Sequence, residues 1–78
     1  MYNKPAVVDS SILASRLKSR REYCAINKAE MARALTIAPS SMTYYESGLS
    51  IPSVDKLYAI ADFLNTSVDY LLGRIDKS

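Results

Sequence analysis

Three residues, Thr36, Ile37 and Ala38, are all that separates two short stretches of helical patterning. The first, residues 28–35, is rich in Ala and opens behind Asn27, whose side chain can cap the unpaired N–H groups of a first turn. Met31, Ala32 and Leu35 then share one face. The second opens on Pro39, which suits the first helical position because the N–H it lacks would have had no partner there. Two short helices joined by so few residues are forced to cross steeply. Everything else in a chain of 78 residues has to bury that crossed pair.

The flanking segments supply the material. Residues 1–8, MYNKPAVV, have no helical period and contain Pro5, so they read as a flexible, extended arm. Asp9 or Ser10 can cap a helix over residues 11–23, with Leu13, Leu17 and Cys24 on one stripe. Arg21, four after Leu17, falls on the same stripe and needs a buried or half-buried acidic partner. In the helix that Pro39 opens, Met42, Tyr45 and Glu46 share the inward side, leaving Ser40, Ser41, Thr43 and Tyr44 outside. Gly48 supplies a positive φ after it, and Pro52 keeps the next loop extended.

Ser53 caps a fourth helix over residues 54–64, whose Val54, Leu57, Ile60, Ala61 and Leu64 form a broad apolar stripe ended by Asn65. Ser67 caps a fifth over residues 68–72, closed by Gly73 and followed by a tail at 74–78. The expected architecture is all-α: one compact five-helix domain over residues 9–73.

Composition removes most enzyme chemistry from the expectation. There is no His and one Cys, hence no ordinary zinc site and no Ser/His or Cys/His couple, and two isolated Gly cannot cradle a phosphate. No cofactor is expected. The apolar runs are too short to cross a bilayer and no export signal opens the chain, so the expected setting is the reducing cytoplasm. Charge is more informative. Residues 16–33 carry six basic and two acidic side chains, a net +4, whereas residues 46–78 carry three basic and five acidic, a net −2. One end of the molecule can therefore face a polyanion.

The runs "SRLKSRR", "INKAEMARAL", "YESGLSIPS", "LYAIADFL" and "TSVDYLLG", in this order and spacing over about residues 13–73, resemble the helix-turn-helix domains of phage repressors, Cro proteins and their bacterial relatives, the XRE or Cro/C1 type. The resemblance implies a lambda-repressor-like fold. It also implies that the helix behind Pro39 is the recognition helix, lying in the DNA major groove, with the helix behind Asn27 spanning the backbone above it. In such relatives the Arg late in the first helix pairs with the Glu of Tyr-Glu-x-Gly, here Arg21 and Glu46. Thr36 and Ala25 stand where relatives usually carry Gly, and Lys28 replaces a Gln.

These assignments make Ala38, Pro39, Ser40, Ser41, Thr43 and Tyr44 the groove-facing residues, and Arg20, Asn27, Lys28, Ser47 and Ser50 the phosphate contacts. None of the groove residues can make the bidentate contacts that read G or A best, so hydroxyl bonds, methyl contacts and DNA shape would carry recognition. Tyr70, Leu71, Leu72 and Ile75 are the expected homodimer contact. The function expected is that of a sequence-specific double-stranded DNA-binding transcriptional regulator, a small repressor occupying an operator as a homodimer, with no membrane or small-molecule partner. The alternative is a protein-interaction module of antirepressor or adaptor type that keeps the fold without reading DNA.

Overall fold

A computed structural model describes residues 7–77. Five helices follow one another: α1 (Ser10–Tyr23), α2 (Lys28–Ala34), α3 (Pro39–Ser47), α4 (Val54–Phe63) and α5 (Val68–Leu71). No strand occurs among the described residues. Of the expected arm, residues 1–6 lie outside the described part; Val7 and Val8 precede the first helix and are exposed.

Four of the five helices start on a side-chain cap. Asp9 accepts from the N–H groups of Ser11 and Ile12, and the Ser11 hydroxyl, followed by those N–H groups, holds its carboxyl below the usual Asp range. Asn27 and Glu30 cap each other: the Asn27 side chain accepts from the Glu30 N–H at 2.8 Å, and Glu30 accepts from the Asn27 N–H at 3.2 Å. Ser53 and Ser67 do the same work singly for α4 and α5. Only α3 lacks such a cap, because Ala38 has no side-chain acceptor and Pro39 takes the first position instead.

The helix ends are one motif repeated five times. Ala25, Thr36, Gly48, Asn65 and Gly73 all have left-handed φ, between 53° and 82°. Behind each, an N–H reaches back five residues: Ile26 to Arg21, Ile37 to Ala32, Leu49 to Tyr44, Thr66 to Ala61 and Arg74 to Asp69, at 2.8–3.2 Å. These bonds satisfy carbonyls that the helices leave unpaired. Because the motif claims the last residue as a cap, α2, α4 and α5 each stop one residue short of the expected end. Gly73 has a second reason to be Gly, since a Cβ there would lie 2.9 Å from Ile12 Cγ2.

The core gathers Leu13 and Leu17 of α1, Met31 of α2, Met42 of α3, Ile60 and Leu64 of α4 and its cap, and Leu71 of α5, all fully buried. Val54 does not join it. Placed on the inner stripe by spacing, it is 69% exposed, and the buried face of α4 begins at Leu57. Among the described residues no helix is long and apolar enough to cross a membrane.

Arg21 is buried in the middle of this assembly, and its partner is the expected one. Its Nε donates to Glu46 Oε2 at 2.6 Å and its Nη2 to Glu46 Oε1 at 3.0 Å, a two-pronged contact, while Nη1 donates to the Ile26 carbonyl at 2.8 Å. One guanidinium thus joins α1, the turn behind it and α3. The hydrogen bond to Glu46 raises the Arg21 pKa above its ordinary value, so the guanidinium stays charged.

Removing one member strands the other in a buried site, so Arg21→Ala and Glu46→Ala should each cost about 3 to 5 kcal/mol, and the double variant less than their sum. Denaturant melts of the three variants check this. A β-branched side chain in a left-handed conformation is strained, so Thr36→Gly should raise stability by up to about 1 kcal/mol, net of the added freedom of the unfolded chain. The same melts measure that gain.

Candidate nucleic-acid interface

With Met42 buried and Tyr45 and Glu46 turned inward, the rotation of α3 about its axis is fixed. Ser40, Thr43, Tyr44 and Ser47 are then exposed, at spacings of three, four and seven that place them on a single stripe. Ala38 and Pro39 extend it at the helix start. Ser41 departs from expectation: it is half-buried, lying between the stripe and the core side. Ser40, Thr43, Tyr44 and Ser47 each carry a hydroxyl, and no side chain of the stripe carries a charge. Hydroxyls both donate and accept, so the stripe can bond to base edges or to phosphate oxygens without preferring either. The Ser47 hydroxyl already donates to the Tyr44 carbonyl at 3.1 Å, which leaves its acceptor capacity outward.

Beside the stripe stands the start of α2. The oxygen of Asn27 is held by the capping bond, but its NH₂ group and the Lys28 ammonium belong to exposed residues. Ser50, in the loop after α3, is exposed as well.

Arg20 requires a correction. Expected on a phosphate, it directs Nε to the Leu64 carbonyl at 2.9 Å and Nη2 to the Asn65 carbonyl at 3.0 Å, and its guanidinium lies over the Tyr23 ring at 4.7 Å. It caps the C-terminal end of α4, where carbonyls lack helical partners and the helix dipole favours a cation. Arg16 behaves alike, donating to the carbonyls of Tyr70 and Ile75 at 2.7 and 2.6 Å with its guanidinium 4.6 Å from the centre of the Tyr70 ring. With Arg21 on Glu46, half of the six basic residues in residues 16–33 are engaged inside the fold, and Lys18, Lys28 and Arg33 are the exposed ones.

The expected dimer contact also needs revision. Leu71 is fully buried in the core and can touch no partner, and Tyr70 is half-buried beneath Arg16. Leu72 is half-buried and Ile75 exposed. The exposed apolar row lies elsewhere: Ile51 ahead of α4, then Val54 and Tyr58 four apart on its outer face. Spacing alone turns Val54 inward and gives Ile51 and Tyr58 no role. Among the described residues no three His, Cys, Asp or Glu side chains gather as a metal site would need.

The helix-turn-helix family matches residues 17–71 of the chain. In sequence the chain is 42% identical over 62 residues to the cryptic phage CTXphi transcriptional repressor RstR of Vibrio cholerae, a match covering 80% of this chain and 55% of that one. It is 33% identical over 66 residues to the HTH-type transcriptional regulator ImmR of Bacillus subtilis, covering 85% and 52%. The chain therefore spans about half the length of the curated relatives it matches. In structure it is similar to the P22 c2 repressor protein, solved in complex with a synthetic operator, with a TM-score of 0.74 and 25% identity over 77% of this chain and 91% of that one. It is also similar to the SOS-response repressor LexA of Eubacterium rectale, with a TM-score of 0.77 and 25% identity over 86% and 73%.

Proposed function

The chain belongs to the helix-turn-helix family, and from that premise we propose that it is a sequence-specific double-stranded DNA-binding regulator that represses transcription by occupying an operator. The observation that carries this reading is the exposed hydroxyl stripe of α3, held from behind by Met42 and the Arg21–Glu46 pair. The likeness to a repressor solved on its operator supports placing α3 in the major groove.

In that placement Ser40, Thr43 and Tyr44 meet base edges, with Ala38 and Pro39 against thymine methyl groups. Ser47, Ser50, the Asn27 amide and the Lys28 ammonium take the flanking phosphates, which fix register without reading sequence. The function is binding, not catalysis, and the cytoplasm is where such a regulator meets its DNA.

A single domain of this size makes few contacts, so a homodimer on a roughly palindromic site completes the reading. Its contact is assigned to Ile51, Val54 and Tyr58 in place of the buried Leu71, because exposed apolar side chains are what a partner surface covers. Sedimentation of the full chain as a monomer at high micromolar concentration would remove this part of the proposal.

Electrostatics separates the two basic positions. Lys28→Ala should weaken binding to every duplex and lower the slope of log affinity against log salt by about 1 per protomer. Arg20→Ala should leave that slope unchanged and instead lower stability, because two carbonyls at the end of α4 lose a charged donor. Salt titrations and melts of both variants check the division.

The stripe is tested by Ser40→Ala and Tyr44→Ala. Neither side chain supports the core, so stability should change by about 0.5 kcal/mol or less. Affinity for a duplex selected from a random library should fall by roughly 1 to 3 kcal/mol, while affinity for a scrambled duplex barely moves. Paired titrations at one salt concentration measure both. No loss on either duplex would favour the protein-interaction module, a reading that the absence of charge on the stripe would then explain.

A further inference from the structure

Lys56 sits in the first turn of α4, where the positive end of the helix dipole disfavours a cation. Its ammonium leaves that end and reaches across to α2, donating to the Leu35 carbonyl at 3.1 Å. Leu35 is the cap residue of α2, and none of the backbone N–H groups in the turns and caps donates to its carbonyl. The residue four positions on, which a continuing helix would have used, is Pro39 and has no N–H. An orphan carbonyl at the negative end of one helix has thus found a cation misplaced on the positive end of another.

The location of this bond gives it a further meaning. Leu35 is followed by Thr36, whose φ of 56° is strained for a β-branched residue, and the two begin the turn that launches α3. Among the described residues, no other side-chain hydrogen bond joins α4 to α2, the turn or α3. These parts otherwise share the apolar core, where Met31, Leu35 and Met42 cluster with Leu57 and Ile60, and apolar packing has no direction of its own.

We propose that Lys56 is a positioning residue for groove reading: by holding the carbonyl of the residue that caps α2 it fixes the turn, and through the turn the angle at which α3 presents Ser40, Thr43 and Tyr44. The inference rests on the DNA-binding reading above. A misaimed helix loses base contacts, which demand geometry, before it loses phosphate contacts, which long flexible side chains can follow.

The test compares the full-length Lys56→Met and Lys56→Arg variants with the parent chain. In the free protein, amide exchange at Thr36 and Ile37 should quicken by about tenfold in Lys56→Met, as loss of a charged hydrogen bond implies, while Leu17 and Ile60 keep their protection. Affinity for the duplex that the parent chain selects from a random library should fall by about tenfold, with the scrambled duplex and the salt slope unchanged. Lys56→Arg, which keeps a donor in reach, should restore both. Unchanged exchange at the turn would overturn the proposal, as would equal losses on both duplexes with a slope lower by about 1, which would make Lys56 a phosphate contact. If the parent chain selects no duplex, the DNA-binding reading fails, and the proposal with it; the exchange measurement then still reports whether Lys56 holds the turn, so the two failures are distinguishable.

Discussion

The Arg21–Glu46 pair is the contact on which the placement of the α3 stripe depends. Apolar packing alone would hold Met42 inside, but Met is flexible and fits several rotations of a short helix. A two-pronged carboxylate–guanidinium contact has one geometry, and here it is sealed off, with the two side chains 11% and 6% exposed. The third arm of Arg21, on the Ile26 carbonyl, extends the restraint to the turn that leads into α2. The crossed pair α2–α3 is therefore registered against α1 at both of its ends. Such a buried pair brings little net stability compared with apolar residues of the same shape; what it contributes here is a single orientation.

A second theme is the use of cations on helix ends. Arg16 serves α5 and the tail, Arg20 serves α4, Lys56 serves α2, and Arg21 serves the turn after α1. The carbonyls of Ile26, Leu35, Leu64 and Asn65 lie at or just beyond helix termini, where the backbone leaves acceptors without donors, while that of Tyr70 also accepts from the Gly73 N–H and that of Ile75 belongs to the tail. In a domain whose helices are 4 to 14 residues long, termini are a large share of the backbone, and long basic side chains are the economical way to reach them. Half of the basic residues in 16–33 are thus internal architecture, and the cation density that an outside polyanion would meet is smaller than the sequence suggests.

Much of this fold was legible because periodicity and caps are local signals. Asp9, Asn27, Ser53 and Ser67 could be read as caps, and the five helices followed. Arg21 was legible because a charge on an apolar stripe demands a partner. The Asn27–Glu30 reciprocal cap is a local signal of the same kind, since it lies in a spacing of three residues. Other features were not local. Spacing puts Val54 on the stripe of Leu57 and Ile60 but cannot say where the core stops. In Tyr70-Leu71-Leu72 it cannot say which leucine faces in, since four residues of helix make barely one turn. Arg20 and Lys56 were opaque for another reason: a long side chain chooses among carbonyls that only the tertiary fold brings near.

The separation between the stripe of α3 and the residues that hold it has a consequence for how such a domain can diverge. Ser40, Thr43 and Tyr44 contribute nothing to the core, while Met42 and Glu46 contribute nothing to the outer face. Substitutions on the first set therefore change stability little, whereas changes at Met42 or Glu46 act on the fold. Under the proposed reading, the duplex preference of such a domain can change through a series of fully folded intermediates.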